Sequence, residues 1–310
     1  MKNIATAQGG TELQLAAWRR QVPPALQAQV HLSVSAVAGP QRPLKPHVFW
    51  AHQAADQPSV QNLADPLVQR GIDAWVFVSQ WQRTQYVERW NLPRARTYVV
   101  RNAIEPIPLH TKPAGPLRLI YTATPFRGLD VLLDAFAGLP ERTEVELHIY
   151  SGMALYGRPR EDARYAALYA QAQALPNVHY HGVVPNAEVR AALQQSHIFA
   201  YPCTWEETSC VALIEALSAG CAAVVPELAA LPETASGYGQ VYPYTSDREA
   251  HVGRFRAELG QAIREYHQPA VQQALSAQVA HFAAAYSWEQ RRGDWTEVLE
   301  NIIATYGRDI

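Results

Sequence analysis

The sequence predicts an α/β protein of two domains, each a parallel sheet with helices on both faces. Three observations carry this. Strand-like and helix-like segments alternate along both halves of the chain. A proline-rich stretch separates the halves. The length, 310 residues, suits about two domains.

In the first half, residues 2–7 read as a short strand broken by Gly9-Gly10, and Thr11 caps a helix reaching Arg20. Apolar runs at 30–37 and 47–51 read as strands, and 59–70 as a helix. AWVFV at 74–78 is a buried-strand pattern; Ser79 then caps a helix reaching Trp90, and 97–100 is another strand. Residues 104–116 hold four prolines and one glycine, the clearest boundary in the chain. The second alternation follows. Strands are expected at 117–123, 145–151, 178–184, 197–202 and 221–226. Helices are expected at 129–139, 161–175, 186–195, 209–220, 247–266 and 269–285. A last helix covers the C-terminus, with Gly293 as a kink or break. The domains are then 1–106, a linker 107–116, 117–286, and a final helix 287–310 returning to the first domain.

Hydrophobic residues make up 48% and charged residues 17%, so the chain can bury a core and is not disordered. The net charge of -2 gives no bulk attraction to nucleic acid. Cys203, Cys210 and Cys221 are odd in number and clustered, which argues for reduced thiols in a cytoplasmic protein. No run is long enough for a membrane-spanning helix, which leaves peripheral membrane contact open.

Residues 201–220, YPCTWEETSCVALIEALSAG, carry the most chemistry. Glu207 stands just before a helix, and Thr208, Ser209 and Cys210 begin it, with free N–H groups that suit phosphate. Glu215 falls in an apolar run, where an acid needs a partner, and a carboxylate there can bind a ribose diol. Glu206, adjacent to Glu207, leaves open which acid faces a ligand. In YTATPFRGLD (121–130), Arg127 follows a strand and opens a helix, a placement suited to bidentate phosphate contact. His52 ends a strand-like run, where open α/β sheets place ligands, with His47 and Asp56 as rivals. His179 and His181 share a strand face but show no cysteine or acid partner in sequence, and read as structural.

The 207–220 stretch is similar to the E-x7-E signature of retaining glycosyltransferase family four, P-S-x-x-E-G-F-G-L-x-x-L-E-A-M-A-x-G. AVVPELAALPETASG after it resembles that family's P-V-V-A-x-x-x-G-G-x-P-E segment. The resemblance extends over most of the chain, weakly in the N-terminal third. It implies the GT-B fold: two Rossmann-like domains facing across a cleft, here with a shortened N-terminal domain and a brief segment feeding Gly9-Gly10. It implies that Glu207 contacts the donor sugar, Glu215 the ribose, and the amides of Thr208, Ser209 and Cys210 the sugar and diphosphate. The family's G-F-G is Thr-Ser-Cys here. Residues 121–130 resemble the family's G-R-L-x-x-x-K-G-x-D, with Arg127 at the lysine; Ala123 and Thr124 lie where its arginine would. Gly9-Gly10-Thr11-Glu12 resembles a G-G-x-E loop that approaches the donor phosphate. His52 matches a histidine near the reacting sugar, and the loop from Gly182 matches the edge that binds the base.

The implied reaction moves a sugar, of hexosyl type, from a UDP- or GDP-linked donor to an acceptor hydroxyl of a glycan or small molecule, with retention. No cofactor or metal is expected, since protein cations and dipoles serve the diphosphate and no D-x-D motif occurs. Two alternatives stay open: a sugar-nucleotide epimerase of the same fold, and a degenerate subunit that binds nucleotide or glycan.

Overall fold

The computed structural model describes residues 9–307. The strand expected at 2–7 lies outside the described residues.

The first sheet has four strands: β1 (His31–Val34), β2 (His47–Trp50), β3 (Ala74–Phe77) and β4 (Thr97–Val99). They are parallel and lie in the order β1-β2-β3-β4. All four residues of β2 and of β3 are buried, because both faces of the sheet are covered. On one face Val48, Trp50 and Val76 pack against Trp18 of the helix Gly10–Gln21 and against Trp295, Leu299 and Ile302 of the helix Trp288–Tyr306. On the other, Phe49, Trp75 and Phe77 pack against Tyr86 and Trp90 of the helix Gln80–Trp90. The C-terminal helix therefore belongs to the first domain's core. It runs unbroken through Gly293, contrary to the expected kink. An exposed glycine costs a helix only about 1 kcal/mol, and the buried Trp288 and Trp295 anchor it on either side.

The second sheet has β5 (Leu117–Tyr121), β6 (Val145–Ile149), β7 (Val178–Tyr180), β8 (Ile198–Ala200), β9 (Ala222–Glu227) and β10 (Gln240–Pro243). All pairings are parallel, in the order β10-β9-β8-β5-β6-β7. The order reverses between β5 and β8, so the loops leaving their carboxyl ends diverge and open a crevice. The edge strand β10 had no counterpart in the sequence reading, because its alternation is short and ends in proline.

Four helix boundaries differ from expectation. The first helix begins at Gly10, with Gly9 at its cap position, so Thr11 lies inside it. The 59–70 segment is a 3-10 helix, Pro58–Ala64, then a short α-helix, Pro66–Arg70. Pro66 disfavours helical backbone at Asp65, which is extended and caps the second helix by accepting from Leu67 N at 2.8 Å. The 161–175 segment is helical in α geometry only over Ala166–Ala174. The helix expected at 209–220 is Val211–Ser218, so Thr208, Ser209 and Cys210 precede it instead of forming its first turn. That loop is pinned to the first domain: Thr208 Oγ1 donates to His52 O (3.0 Å), and Asn102 Nδ2 donates to Ser209 O (3.2 Å).

The proline-rich connection contains no helix or strand, yet it is tied down. Ile104 N donates to Tyr286 O at 2.8 Å, and Ile107 N to Ser218 Oγ at 3.0 Å. Lys112 Nζ caps two carbonyls, Leu193 O at 3.1 Å and Ala219 O at 2.8 Å. Among the described residues, no helix is long and apolar enough to cross a membrane.

Candidate functional site

A cavity of about 680 Å3 lies between the domains, at the reversal point between β5 and β8. Gly9, Gly10, Glu12, His52 and Asn102 line it from the first domain. Thr122, Arg127, Tyr156, Trp205, Glu207 and Ser209 line it from the second.

Arg127 stands on the loop after β5 and Glu207 on the loop after β8. Gly128 is what lets these loops cross. Its φ is +96°, and a Cβ there would lie 2.1 Å from Pro202 O, so only glycine fits. Arg127 is ion-paired with Glu207 and donates to Thr124 Oγ1 and Tyr156 OH, each at 3.2 Å. Its guanidinium also faces the rings of Phe126 (5.4 Å) and Trp205 (5.7 Å). Glu207 accepts a second hydrogen bond from Tyr201 OH at 2.6 Å. Of the adjacent acids, Glu207 faces inward to Arg127, and Glu206 is exposed. No side-chain cation stands at Ala123 or Thr124, but Arg158 of the same domain also lines the cavity.

A second, smaller cavity of about 110 Å3 adjoins the first. Gly182, with φ +69°, Tyr150, Ser151, Ala212 and Glu215 line it. Glu215 is buried and takes up the partner that its apolar setting demands: Arg190 Nη1 donates at 2.9 Å and Asn186 Nδ2 at 3.3 Å. Burial raises the Glu215 carboxyl above its ordinary range, against the pull of Arg190. Arg190 also donates to Glu105 O of the proline-rich connection at 2.6 Å. The helix Val211–Ser218 points its amino end into both cavities, with Val211 and Ala212 lining each. First-turn N–H groups have no intrahelical acceptor, so this terminus offers donors and a positive dipole end to an anion.

His52 lies just beyond β2, at its carboxyl end. It is half-buried, and desolvation pushes its pKa down to about 3, so the ring is neutral at physiological pH. Its Nε2 is buried with no hydrogen-bond partner. Asn102 Oδ1, Thr122 Oγ1 and Ser151 Oγ share that condition, and all four residues line the two cavities. Buried polar atoms are nearly always satisfied. Four of the unpartnered buried atoms among the described residues thus belong to residues that line this crevice. The rival His47 is not in the crevice; its ring bridges Ser33 Oγ and Gly71 O, each at 2.8 Å, at the opposite end of β2. The other rival, Asp56, accepts from Gln57 Nε2 on the surface at 3.1 Å.

The domains meet closely at the mouth. A Cβ on Gly9 would lie 2.7 Å from the ring of Tyr156 in the second domain, whereas one on Gly10 would touch only Val211 at ordinary distance. Gly9 is thus the position of close approach. The three cysteines are free and buried, and burial raises their thiols.

Solved structures share this architecture. The chain superimposes on Anabaena HepE, solved with UDP and glucose, with a TM-score of 0.65 at 19% identity, covering 83% of this chain and 72% of that one. It superimposes on the pneumococcal O-GlcNAc transferase GtfA, solved with UDP and GlcNAc, at 0.64 and 16%, covering 84% and 53%. Sucrose-phosphate synthase from Thermosynechococcus elongatus gives 0.61 and 15%, covering 84% and 69%. The fold is GT-B. The chain spans about half the length of GtfA, 53%. Residues 118–252 match the family described as Glycosyl transferases group 1, a span that includes Arg127, Glu207 and Glu215. No curated protein matches the chain in sequence.

Sequence reasoning missed Tyr156, Tyr201, Asn186 and Arg190. Asn186 and Arg190 sit four apart on one helix, a spacing that puts both on one face, but nothing in sequence said which buried acid they would meet. It also misjudged the surroundings of His179 and His181. An acid partner does stand nearby: Glu146, with His148, comes from the neighbouring strand β6.

Proposed function

We propose that the protein is a retaining glycosyltransferase of family four, moving a hexosyl group from a nucleoside diphosphate sugar to an acceptor hydroxyl. The observation that carries this is the meeting of Arg127 and Glu207 from two diverging loops, beside the amino end of the helix Val211–Ser218. One anion-binding cation, one sugar-orienting carboxylate and one helix terminus stand together in a crevice wide enough for a nucleotide sugar.

In this reading the diphosphate lies against Arg127 and the amides of Val211 and Ala212, with Gly9 and Gly10 facing it from the other domain. Glu207 orients the sugar. Thr208, Ser209 and Cys210 shape the backbone beside it, and His52 offers a neutral imidazole to a sugar hydroxyl. The ribose lies near Glu215 in the smaller cavity, and the base near Gly182. The bond between the anomeric carbon and the leaving phosphate oxygen breaks, and the acceptor oxygen bonds that carbon on the same face. The acceptor's proton passes to the departing phosphate. Negative charge grows on the diphosphate, and fixed donors that need no reorganisation stabilise it. The contacts between the domains exclude water that would otherwise hydrolyse the donor.

Incubation with a panel of UDP- and GDP-hexoses, with and without glycan acceptors, tests the proposal through nucleotide release and product anomer. We expect release well above background with at least one donor, lost in Glu207→Ala, and a product that keeps the donor's anomeric configuration. Conversion of donor to an epimer without transfer would instead identify an epimerase. Tight donor binding with no turnover would identify a binding subunit.

A further inference from the structure

We propose that the β6–β7 edge of the C-terminal sheet is a binding site for a divalent transition metal, formed by Glu146, His148 and His179. The inference is independent of the proposed transferase activity. β6 and β7 are parallel, with His148 and His179 as register partners. Side chains two apart on a strand share a face, so Glu146 and His148 from β6, and His179 and His181 from β7 and its end, converge on one patch.

The donor atoms of Glu146, His148 and His179 all lie within 4.8 Å of one another. Glu146 Oε2 and His148 Nε2 are 3.5 Å apart. Two ligands held about 2.0–2.1 Å from a tetrahedral zinc ion would sit roughly 3.3 Å from each other, so the pair needs almost no movement. Two imidazoles and one carboxylate suit zinc or a neighbouring transition ion, not magnesium. Three protein ligands leave a fourth position to water.

A supporting contact is also in place. With Nε2 aimed at Glu146, His148 Nδ1 is 3.1 Å from His181 Nε2. Ligating histidines usually bond their second ring nitrogen to a neighbour that fixes tautomer and orientation, and His181 has that place. Arg118 lies 3.4 Å from Glu146 and competes for its carboxylate. The edge strand β7 joins β6 through backbone bonds and through the ring contacts of His148 with His179 and His181; an ion would add a cross-strand clip. His181 in turn stacks on Tyr150 at 4.3 Å, and Tyr150 lines the smaller cavity.

The test uses the untagged full chain, stripped with chelator. Calorimetric titration with zinc should show one equivalent bound at micromolar or tighter affinity. Cobalt should give the intense visible bands of tetrahedral coordination, and magnesium no heat. His179→Ala removes an exposed ligand and should leave the metal-free melt unchanged while abolishing the zinc-dependent rise in Tm. His181→Ala should keep the stoichiometry and weaken binding about 10- to 100-fold, as for other outer contacts. Binding weaker than millimolar, or binding equal in His179→Ala and the native chain, would overturn the site.

Discussion

The Arg127 guanidinium on the loop after β5 is paired with the Glu207 carboxylate on the loop after β8, and Tyr201 and Tyr156 hold the pair from either side. Both side chains are mostly buried, 15% and 12% exposed. Removing one member strands the other charge, which typically costs about 3–5 kcal/mol. We expect Arg127→Ala to lower stability by about 3 kcal/mol in urea melts. Arg127→Lys keeps the charge but loses the planar fork, and should fold while cutting turnover by roughly 100-fold or more, the scale of one lost transition-state donor. A lysine variant with native turnover would remove Arg127 from the chemistry.

Gly128 should be the least replaceable residue of these loops. Alanine there must take φ near +96° and also displace the Pro202 carbonyl. Strain of this kind costs about 1–3 kcal/mol, and the forced shift of the loop adds to it. We expect Gly128→Ala to lose at least about 2 kcal/mol and to impair nucleotide binding. Gly10→Ala, whose Cβ meets only Val211 at 3.5 Å, should be tolerated in stability.

The fold was legible in the sequence because its signal is repeated. Buried runs such as AWVFV and LRLIY cannot be placed except as covered strands, and their alternation with helices leaves few topologies. Glu207, Glu215 and Arg127 could be picked out because charge in or beside an apolar run needs a reason. The helix start at Val211 was not legible, because what delays it is a bond from Asn102, more than a hundred residues away. The Glu146–His148–His179 patch was invisible for a related reason: strand register, not sequence spacing, brings its members together.

Glu215 gives a pH signature. Its folded-state pKa is raised, so the folded protein holds this proton more tightly than the unfolded chain does. Stability from this group is therefore fully present below the unfolded carboxyl range and declines as pH rises through the raised value. Arg190 is what limits that decline at neutral pH. We expect Arg190→Ala to destabilise strongly at pH 7 and much less near pH 4, where the carboxyl is protonated in both states. Urea melts across that range check it; a pH-independent loss would mean that Arg190 acts through packing alone.

His52 carries the opposite sign. Its folded pKa is about 3, below the ordinary histidine value, so the unfolded chain binds the extra proton. Stability from the neutral ring is present above pH 6.5 and is lost as pH falls toward 3. His52→Gln should flatten that acid limb. If His52 serves a sugar hydroxyl as a neutral group, the rate should also show no titration of this ring between pH 5 and 8. A histidine limb in the pH–rate profile that disappears in His52→Gln would contradict a pKa held this low.

Glu233, in the second domain, accepts from the Gln80 and Trp81 amides at 3.0 Å each, at the amino end of a first-domain helix. Ser79 takes the next amide, Gln82 N, also at 3.0 Å. The carboxylate thus completes the cap of a helix to which it is not covalently adjacent, and its charge matches the positive dipole end. Arg101 approaches the same carboxylate at 3.6 Å. The bond therefore works as a tether between the domains as well as a cap. Glu233→Ala should cost about 1 kcal/mol, the usual worth of a cap, and should let the domains part. We expect a larger radius of gyration by small-angle scattering and a raised KM for donor, with Glu233→Gln intermediate because it keeps one acceptor and loses the charge. A Glu233→Ala variant that scatters and melts like the native protein would show that the other contacts between the domains hold the cleft without it.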